Sequence, residues 1–299
     1  MDSIVSYPNR GHYGKSNWRG NCSGYLVRDM LQFYKPKVFV DSTLGGGTSA
    51  DVVTELNQEG AGIEFFGLDL HNGFNLLKNS LSECIGGQRA DYVFCHPPYS
   101  DLIVYSKEVW GNEAHPDDLS RCESYEDFLM KMTIAMRNIY DSLSANGHYS
   151  VLIGDIRHNG EYVSIQSDLL QLAPGKLDGI IVKAQHNCQS DRKNYSNRFI
   201  PITHEFLLNF RNHRIIFGMI DTTLEVSRKL EILSRANWSA VIHTALTKLG
   251  GEAPLQKIYK IIEEESPQTV KPRKNWQARV RGELQRHFQS LGNGVWAIG

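Results

Sequence analysis

The sequence predicts an α/β protein with a doubly wound sheet, followed by a smaller C-terminal domain. Short apolar runs alternate with helical stretches through the first two hundred residues, which is the pattern of such a sheet. A glycine-rich loop, Gly45 to Thr48, joins one apolar run to a helical stretch. Beyond Thr222 the composition changes, and the sequence has the rhythm of three short helices and a hairpin.

The predicted strands of the first domain are short and apolar. They are Val38 to Val40, Phe65 to Leu68, Tyr92 to Cys95, His148 to Ile153, Gly179 to Lys183 and Glu205 to Phe210. The predicted helices are Tyr25 to Phe33, Ser49 to Leu56, Tyr125 to Leu143 and Ile165 to Leu172. This alternation is what a doubly wound sheet requires.

The tetrapeptide His96, Pro97, Pro98, Tyr99 directly follows one of these strands. A double proline forces the backbone into a rigid, extended loop, which holds Tyr99 just beyond the end of the strand. Ligands bind at this edge of open α/β sheets, so Tyr99 is expected to offer its ring for stacking. The alternative is a packed tyrosine in an ordinary strand-ending loop.

The glycine loop lies about fifty residues earlier, after the run that ends at Asp41. Glycines let the backbone approach a ligand closely, and the start of the following helix offers unpaired N–H groups. Asp69 ends the next strand, about twenty residues beyond the glycines, where an acidic side chain can accept hydrogen bonds from ribose hydroxyls. The three elements together indicate a nucleotide-like cofactor.

In this order the elements resemble the amino-group DNA methyltransferases that use S-adenosylmethionine. The stretch from Asp41 to Thr48 resembles their cofactor loop, and Pro97, Pro98 and Tyr99 match their [Asp/Asn/Ser]-Pro-Pro-[Tyr/Phe] motif. The stretch from Tyr13 to Gly24 resembles the segment that closes over the methionine part of the cofactor. The resemblance covers roughly residues 5 to 211 and implies a Rossmann-like doubly wound methyltransferase sheet.

The resemblance also implies a set of site residues. The cofactor is expected to contact Asn21, Ser23, Asp41, Gly45, Gly47, Thr48 and Asp69. The catalytic residues are expected to be His96, Pro97, Pro98 and Tyr99.

His96 departs from the family motif, which has aspartate, asparagine or serine at this position to accept a hydrogen bond from the target amino group. A neutral imidazole can accept through one ring nitrogen, so this role can be kept. The alternatives are that His96 packs or caps while the Pro97 carbonyl alone holds the amino group, or that the catalytic loop is inactive.

The function implied by the resemblance is methyl transfer to N6 of a flipped-out adenine in DNA. The gap between the last predicted strands holds no large recognition domain, so short or relaxed sequence specificity is expected. An N4-cytosine methyltransferase shares every motif. An RNA or protein amide methyltransferase, and a DNA-binding regulator built on a vestigial methyltransferase core, also remain open. Carbon-5 methylation needs an activated cysteine after a proline, whereas Cys95 precedes His96 and is expected to be packed.

The predicted domains are a methyltransferase domain over residues 1–221, a linker helix over 222–236 and a winged-helix domain over 237–299. The last region has nine Lys or Arg and five Asp or Glu, a net charge of +4. Its pattern resembles winged-helix modules appended to restriction-modification proteins, and the third helix is the usual groove-reading element. An alternative is that it contacts protein.

Two regions supply the residues expected to contact DNA. The loop from Lys183 to Arg198 is rich in amide and basic side chains that suit phosphates and base edges, although it is also compatible with a solvated hairpin. The expected contacts are Arg192, Lys193, Arg198, Lys274, Arg279 and Arg281. The long connection from Ser100 to Cys122 is predicted to be a lid or a DNA-facing segment.

Composition sets the remaining expectations. The 299 residues are 41% hydrophobic and 22% charged, an ordinary globular balance, with a net charge of −1. No apolar stretch approaches the roughly 20 residues of a membrane span, and the start lacks a signal-peptide pattern, so a cytoplasmic protein is expected. The five cysteines are scattered, which suggests neither disulfides nor a metal site. We expect a monomer whose partner is double-stranded DNA.

Overall fold

A computed structural model describes residues 1–158, 160–186, 199–213, 238–265 and 275–298. The chain divides into two compact units, residues 1–214 and 215–299. The predicted linker helix over 222–236 lies outside the described residues, as do Arg192, Lys193, Arg198 and Lys274.

The first unit contains nine strands among its described residues. They are β1 (Ile4–Ser6), β2 (Val38–Asp41), β3 (Glu64–Gly67), β4 (Ala90–Cys95), β5 (Leu143–Ile153), β6 (Ile156–His158), β7 (Glu161–Val163), β8 (Lys176–Ala184) and β9 (His204–Arg211). Its helices are α1 (Gly24–Tyr34), α2 (Thr48–Gln58), α3 (Leu81–Cys84), α4 (Tyr125–Ser142) and α5 (Ile165–Leu172). All six predicted strands and all four predicted helices correspond to observed elements.

Seven of these strands form one sheet in the order β1-β8-β9-β5-β4-β2-β3. β9 pairs antiparallel with β5 and β8, whereas the other pairings in this sheet are parallel. The carboxyl ends of β2, β3, β4 and β5 therefore meet at one edge, which is where ligands bind in open α/β sheets. β6 and β7 form a separate two-stranded hairpin just beyond β5.

Helices cover both faces of the sheet. On one face Leu26 and Met30 of α1 and Val52 of α2 pack with Phe39. On the other face α3, α4 and α5 enclose a second core that includes Val40. Neighbouring residues of a strand point to opposite faces, so Phe39 and Val40 each anchor one core. Burying one such side chain contributes about 1.5–3 kcal/mol. The predicted doubly wound α/β class is confirmed.

The second unit combines helices with a small antiparallel sheet. Its described helices are α6 (Trp238–Lys248), α7 (Leu255–Glu265) and α8 (Trp276–His287). Its described strands are β10 (Glu252–Pro254), β11 (Gln289–Gly292) and β12 (Val295–Ala297), in the order β10-β12-β11. Ile242, Leu246, Ile258, Val280 and Leu284 bring the three helices into one core.

In the described part of the chain, no helix is both long enough and apolar enough to span a bilayer.

Candidate active site

Two carboxylates hold the glycine loop between β2 and α2. Asp41 Oδ1 accepts from the Thr43 N–H at 3.0 Å, and its Oδ2 accepts from Ser49 Oγ. Asp69, at the end of β3, accepts from the Gly45 N–H at 2.8 Å through Oδ2. Gly45 has φ +52°, a left-handed conformation that costs glycine little. The loop is thus fixed from both strands.

Burial raises the pKa of Asp41 to about 7, and the hydrogen bonds from Ser49 and Thr43 only partly oppose this. The side chain is nearly inaccessible, with 3% of the residue exposed. A carboxyl group in such a place costs free energy when it ionises. The protonation state of Asp41, which holds the glycine loop, therefore changes with pH near neutrality.

A cavity lies above this loop and is called here the glycine-loop cavity. It encloses about 880 Å³ of empty space, including solvent at its mouth. Five of the predicted cofactor residues line it, namely Asn21, Asp41, Gly45, Thr48 and Asp69. The buried Thr48 Oγ1 has no hydrogen-bond partner among the described residues and packs against Gly14 of the N-terminal segment.

Two predicted cofactor residues are not in the wall of this cavity. Ser23 is the N-cap of α1, and its Oγ donates to the Asn9 carbonyl at 3.3 Å. Gly47 is the N-cap of α2, with φ +89°. Each is next in sequence to a residue that does line the cavity, Cys22 and Thr48 respectively.

An N-terminal segment, residues 11–22, lies over the glycine loop. The Lys15 N–H donates to the Gly46 carbonyl at 2.8 Å, and Asn21 Nδ2 donates to the Lys15 carbonyl at 2.8 Å. A Cβ added to Gly46 would lie 2.8 Å from Trp18 Cβ and from the Asn21 amide, so only glycine permits this approach. The segment thereby places Asn21 and Trp18 in the cavity wall.

The connection over residues 100–122 closes another side of the site. Its centre is the buried Asp118, which accepts from the Ser106 N–H at 2.7 Å and the Ser120 N–H at 2.8 Å. Arg121 donates to the Ser106 carbonyl. The segment is thus an ordered cover, and its Tyr105 lines the glycine-loop cavity.

His96 follows β4 and is anchored from the cofactor side. Its N–H donates to Thr43 Oγ1 at 2.6 Å, which ties the tetrapeptide over residues 96–99 to the glycine loop. Burial lowers the pKa of His96 to about 4, an effect that the Glu205 carboxylate only partly opposes. The imidazole is therefore neutral at physiological pH, with one donor and one acceptor nitrogen.

Tyr99 is held by Glu205, a residue that the sequence analysis did not select as part of the site. Its hydroxyl lies 2.8 Å from Glu205 Oε1, which also accepts from Gln185 Nε2 at 2.7 Å. Glu205 Oε2 accepts from Lys183 Nζ at 2.7 Å, and both residues of this pair are 8% exposed. The Tyr99 ring packs on Gly154, where an added Cβ would lie 2.7 Å from Cε2. Proximity in the sheet was the missing signal, because Tyr99 and Glu205 are 106 residues apart.

A second opening, the Tyr99 cleft, lies beside the glycine-loop cavity. It holds about 1930 Å³ of empty space, open to solvent. His96, Pro97 and Tyr99 line it, whereas Pro98 lines the glycine-loop cavity. The residues common to both walls are Gly20, Asn21, His96 and Tyr105. The two openings therefore meet at His96, the first residue of the tetrapeptide that the sequence predicts to be catalytic.

Two other groups, Asp155 and Cys95, lie near the strand ends. Asp155, which lines the Tyr99 cleft, accepts from Tyr162 Oη at 2.7 Å and from the Gln166 N–H at 3.1 Å. Burial raises the pKa of Cys95 to about 12, so this thiol is not an activated nucleophile.

The predicted DNA contacts are only partly within the described residues. Arg279 and Arg281 are exposed on α8. The loop that contains Arg192, Lys193 and Arg198 and the residue Lys274 are outside the described ranges.

No protein-family model and no curated protein matches the sequence. Solved structures do align with it. TrmN from Thermus thermophilus is 14% identical over 65% of this chain and 50% of its own, with a TM-score of 0.36. An rRNA methylase from Streptococcus thermophilus is 13% identical over 64% and 96%, with a TM-score of 0.33. NodS, an N-methyltransferase from Bradyrhizobium japonicum in complex with S-adenosyl-L-homocysteine, is 10% identical over 64% and 87%, with a TM-score of 0.35. The aligned region spans half of the TrmN chain.

Proposed function

We propose that this protein is an S-adenosylmethionine-dependent methyltransferase that modifies N6 of adenine in DNA. The observation that carries the proposal is the meeting of the glycine-loop cavity and the Tyr99 cleft at His96. A methyl donor in the cavity and an amine in the cleft can approach each other there. Proximity of this kind supplies much of the rate enhancement of a two-substrate transfer.

The glycine-loop cavity fits a nucleoside cofactor. Trp18 and Asn21 form a tight wall over the loop, since a Cβ on Gly45 or Gly46 would lie 2.8–2.9 Å from them. Asp69 retains lone pairs for ribose hydroxyls beside its bond to the Gly45 N–H. S-adenosylmethionine supplies a sulfonium methyl group that is electrophilic without metal or covalent help.

The residues of the Tyr99 cleft fit a flat amine-bearing base. Tyr99 offers an aromatic surface for stacking at the cleft wall, and the neutral His96 offers an acceptor for an amino hydrogen. Such acceptors orient the amino group and favour a pyramidal nitrogen whose lone pair can attack. The nitrogen gains a bond to the methyl carbon as the carbon–sulfur bond breaks, and it then releases one proton to solvent.

The rim of the cleft suits a nucleic acid. The Arg157 guanidinium lies 4.8 Å from the Phe199 ring centroid and 5.3 Å from that of Tyr162. Arg157 and the exposed Arg19 both line the cleft and can meet phosphates.

We interpret the second unit as a winged helix that binds double-stranded DNA. Its helix order, its β10-β12-β11 sheet and the exposed Arg279 and Arg281 on the third helix support this interpretation. We retain residues 1–221, 222–236 and 237–299 as the proposed methyltransferase, linker and winged-helix regions. A cytosine N4 target uses the same chemistry and is the twin proposal.

Product identification tests this proposal. The full chain is incubated with unmethylated plasmid DNA, or with RNA in parallel, and labelled S-adenosylmethionine, and the nucleosides are then identified by mass. We expect N6-methyladenine from DNA, and its loss in Tyr99→Ala. N4-methylcytosine would replace the proposal by its twin, and methylation of RNA alone would overturn the DNA assignment. Failure to bind cofactor would favour a DNA-binding regulator.

A further inference from the structure

The hydroxyl group of Tyr99 has two polar neighbours but only one hydrogen. Its oxygen lies 2.8 Å from Glu205 Oε1 and 3.1 Å from His96 Nε2. An ionised carboxylate can only accept hydrogen bonds. The Tyr99 hydrogen is therefore directed to Glu205, and the Tyr99 oxygen is left to accept from His96.

The neighbours of Glu205 keep it an acceptor. Lys183 Nζ lies 2.7 Å from Oε2, and Gln185 Nε2 donates to Oε1 at 2.7 Å. Burial alone would raise the pKa of Glu205, but the Lys183 charge and these hydrogen bonds outweigh burial and lower it. Glu205 is thus ionised at physiological pH.

The proton position on His96 follows from this chain of bonds. A neutral imidazole has one N–H, and the Tyr99 oxygen requires it on Nε2. Nδ1 then carries the lone pair. Among the described residues, Nδ1 has no hydrogen-bond partner, and His96 lines both the glycine-loop cavity and the Tyr99 cleft.

We propose that Glu205 is a positioning residue: acting through the Tyr99 hydroxyl, it fixes His96 as the Nε2–H tautomer, so that Nδ1 accepts a hydrogen bond from the amino group of the target base. The last part of this inference rests on the proposed function. It explains how a histidine can serve where related motifs have a carboxylate, amide or hydroxyl acceptor. Without the Tyr99 hydroxyl, His96 can also adopt the other neutral tautomer, in which Nδ1 carries the N–H and presents a donor to the amine.

The tautomer can be measured without any substrate. Nitrogen-15 NMR of the full chain, labelled at its eleven histidines, distinguishes protonated from unprotonated ring nitrogens. The His96 signals are assigned by their loss in His96→Asn. We expect a protonated Nε2 and an unprotonated Nδ1 at pH 7 in the wild-type chain.

Two variants remove the hydrogen bonds that fix the His96 tautomer, each in a different way; these bonds, from Glu205 through the Tyr99 hydroxyl to His96, are called the lock. Tyr99→Phe keeps the ring and removes the hydroxyl. Lys183→Met combined with Glu205→Gln removes both charges together, since removing one partner of a buried pair is strongly destabilising. In both variants we expect mixed His96 tautomers and, with S-adenosylmethionine and DNA, at least a tenfold lower kcat with little change in cofactor Kd.

The outcomes separate this inference from the proposed function. A protonated Nδ1 in the wild-type chain, or an unchanged tautomer in both variants, would overturn the inference whatever the methylation assay shows. A locked tautomer in the wild type that is lost in the variants would support it. Absence of methyl transfer to nucleic acid, with the lock intact, would overturn the proposed function and the amine-binding role of Nδ1 while leaving the positioning role of Glu205.

Discussion

Gly154 supports the Tyr99 ring at the end of β5. Its missing side chain is what allows the contact, because an added Cβ would lie 2.7 Å from Tyr99 Cε2. Real Cβ atoms do not approach other atoms this closely, so the ring must move when a methyl group is added. The position of Tyr99 thus depends on a residue that carries no functional group.

Gly154→Ala is predicted to displace the Tyr99 ring and lower the rate of methyl transfer at least tenfold, because small shifts at a reacting centre are costly. Cofactor Kd should change little, since Gly154 does not line the glycine-loop cavity. The measurement is kcat together with calorimetric cofactor binding. Gly179→Ala in β8 is the matched control, because an added Cβ there meets nothing within 4 Å. Equal rates for the two variants would contradict the prediction.

Asp41 makes stability depend on pH. Its folded-state pKa of about 7 is above the ordinary value of 3.8, so the folded protein retains a proton that the unfolded chain releases. The stabilisation that this proton gives is complete below pH 3.8 and is lost as pH rises through 7.

Asp41→Asn removes this dependence. As the pH rises from 4.5 to 8, the free energy of unfolding of Asp41→Asn is predicted to increase relative to that of the wild type. The increase reaches up to about 4 kcal/mol for a pKa shift of this size. Urea unfolding at several pH values provides the measurement, with the exposed Asp2→Asn as control. A constant difference between Asp41→Asn and wild type across this range would refute the assignment.

Residues close in sequence to a motif were predictable, and residues brought in by the sheet were not. Asp41, Gly45 and Asp69 follow strands whose order along the chain already places their ends together. Glu205 and Lys183 reach Tyr99 only because β9 lies beside β5 and β8 lies beside β9. No local pattern specifies that order.

Among the elements, the segment over residues 100–122 was predicted as a lid or a DNA-facing segment, but the contacts that order it were not predicted. Its sequence has no helical or strand periodicity. Its order comes instead from Asp118, whose carboxylate replaces secondary structure as the partner of the Ser106 and Ser120 N–H groups. Side-chain to backbone bonds of this kind leave little trace in the sequence.

Asp118→Ala is predicted to loosen this segment without unfolding the first unit. Each buried N–H left unpaired costs about 1–3 kcal/mol. Hydrogen exchange at the Ser106 amide should accelerate, and S-adenosylmethionine should bind at least tenfold more weakly, because Tyr105 and Asp118 line the glycine-loop cavity. Asp101→Ala, at an exposed site in the same segment, should leave both unchanged. Normal exchange and affinity in Asp118→Ala would argue against a covering role.

For the whole molecule, the proposed division of labour assigns chemistry to the first unit and most duplex binding to the second. Arg279→Ala with Arg281→Ala is predicted to weaken DNA binding and to reduce the slope of log affinity against log salt by about 2, the loss of two phosphate contacts. Titrations at several salt concentrations measure this slope. The control is Lys260→Ala on α7. The Lys260 side chain is highly exposed, and its Nζ lies 3.9 Å from Glu264 Oε1. An unchanged slope in the double variant would exclude these arginines as DNA contacts.

The fold class followed from periodicity because a two-faced sheet imposes alternating strands and helices on the sequence. The meeting of the two openings could not be predicted from the sequence, because it requires the strands in their final order and the N-terminal segment folded over the glycine loop. At that meeting point, in the proposed function, a methyl group bound on one side reaches an amine bound on the other.

Product analysis is the measurement that tests this claim most directly. Full-length wild type and Tyr99→Ala are incubated with unmethylated DNA and labelled S-adenosylmethionine, and the nucleosides are identified by mass. The account predicts N6-methyladenine from the wild type and at least a hundredfold less from the variant, with cofactor Kd unchanged in both. Bound cofactor with no methylated base in DNA or RNA, or a methyl group on cytosine carbon 5, would contradict it.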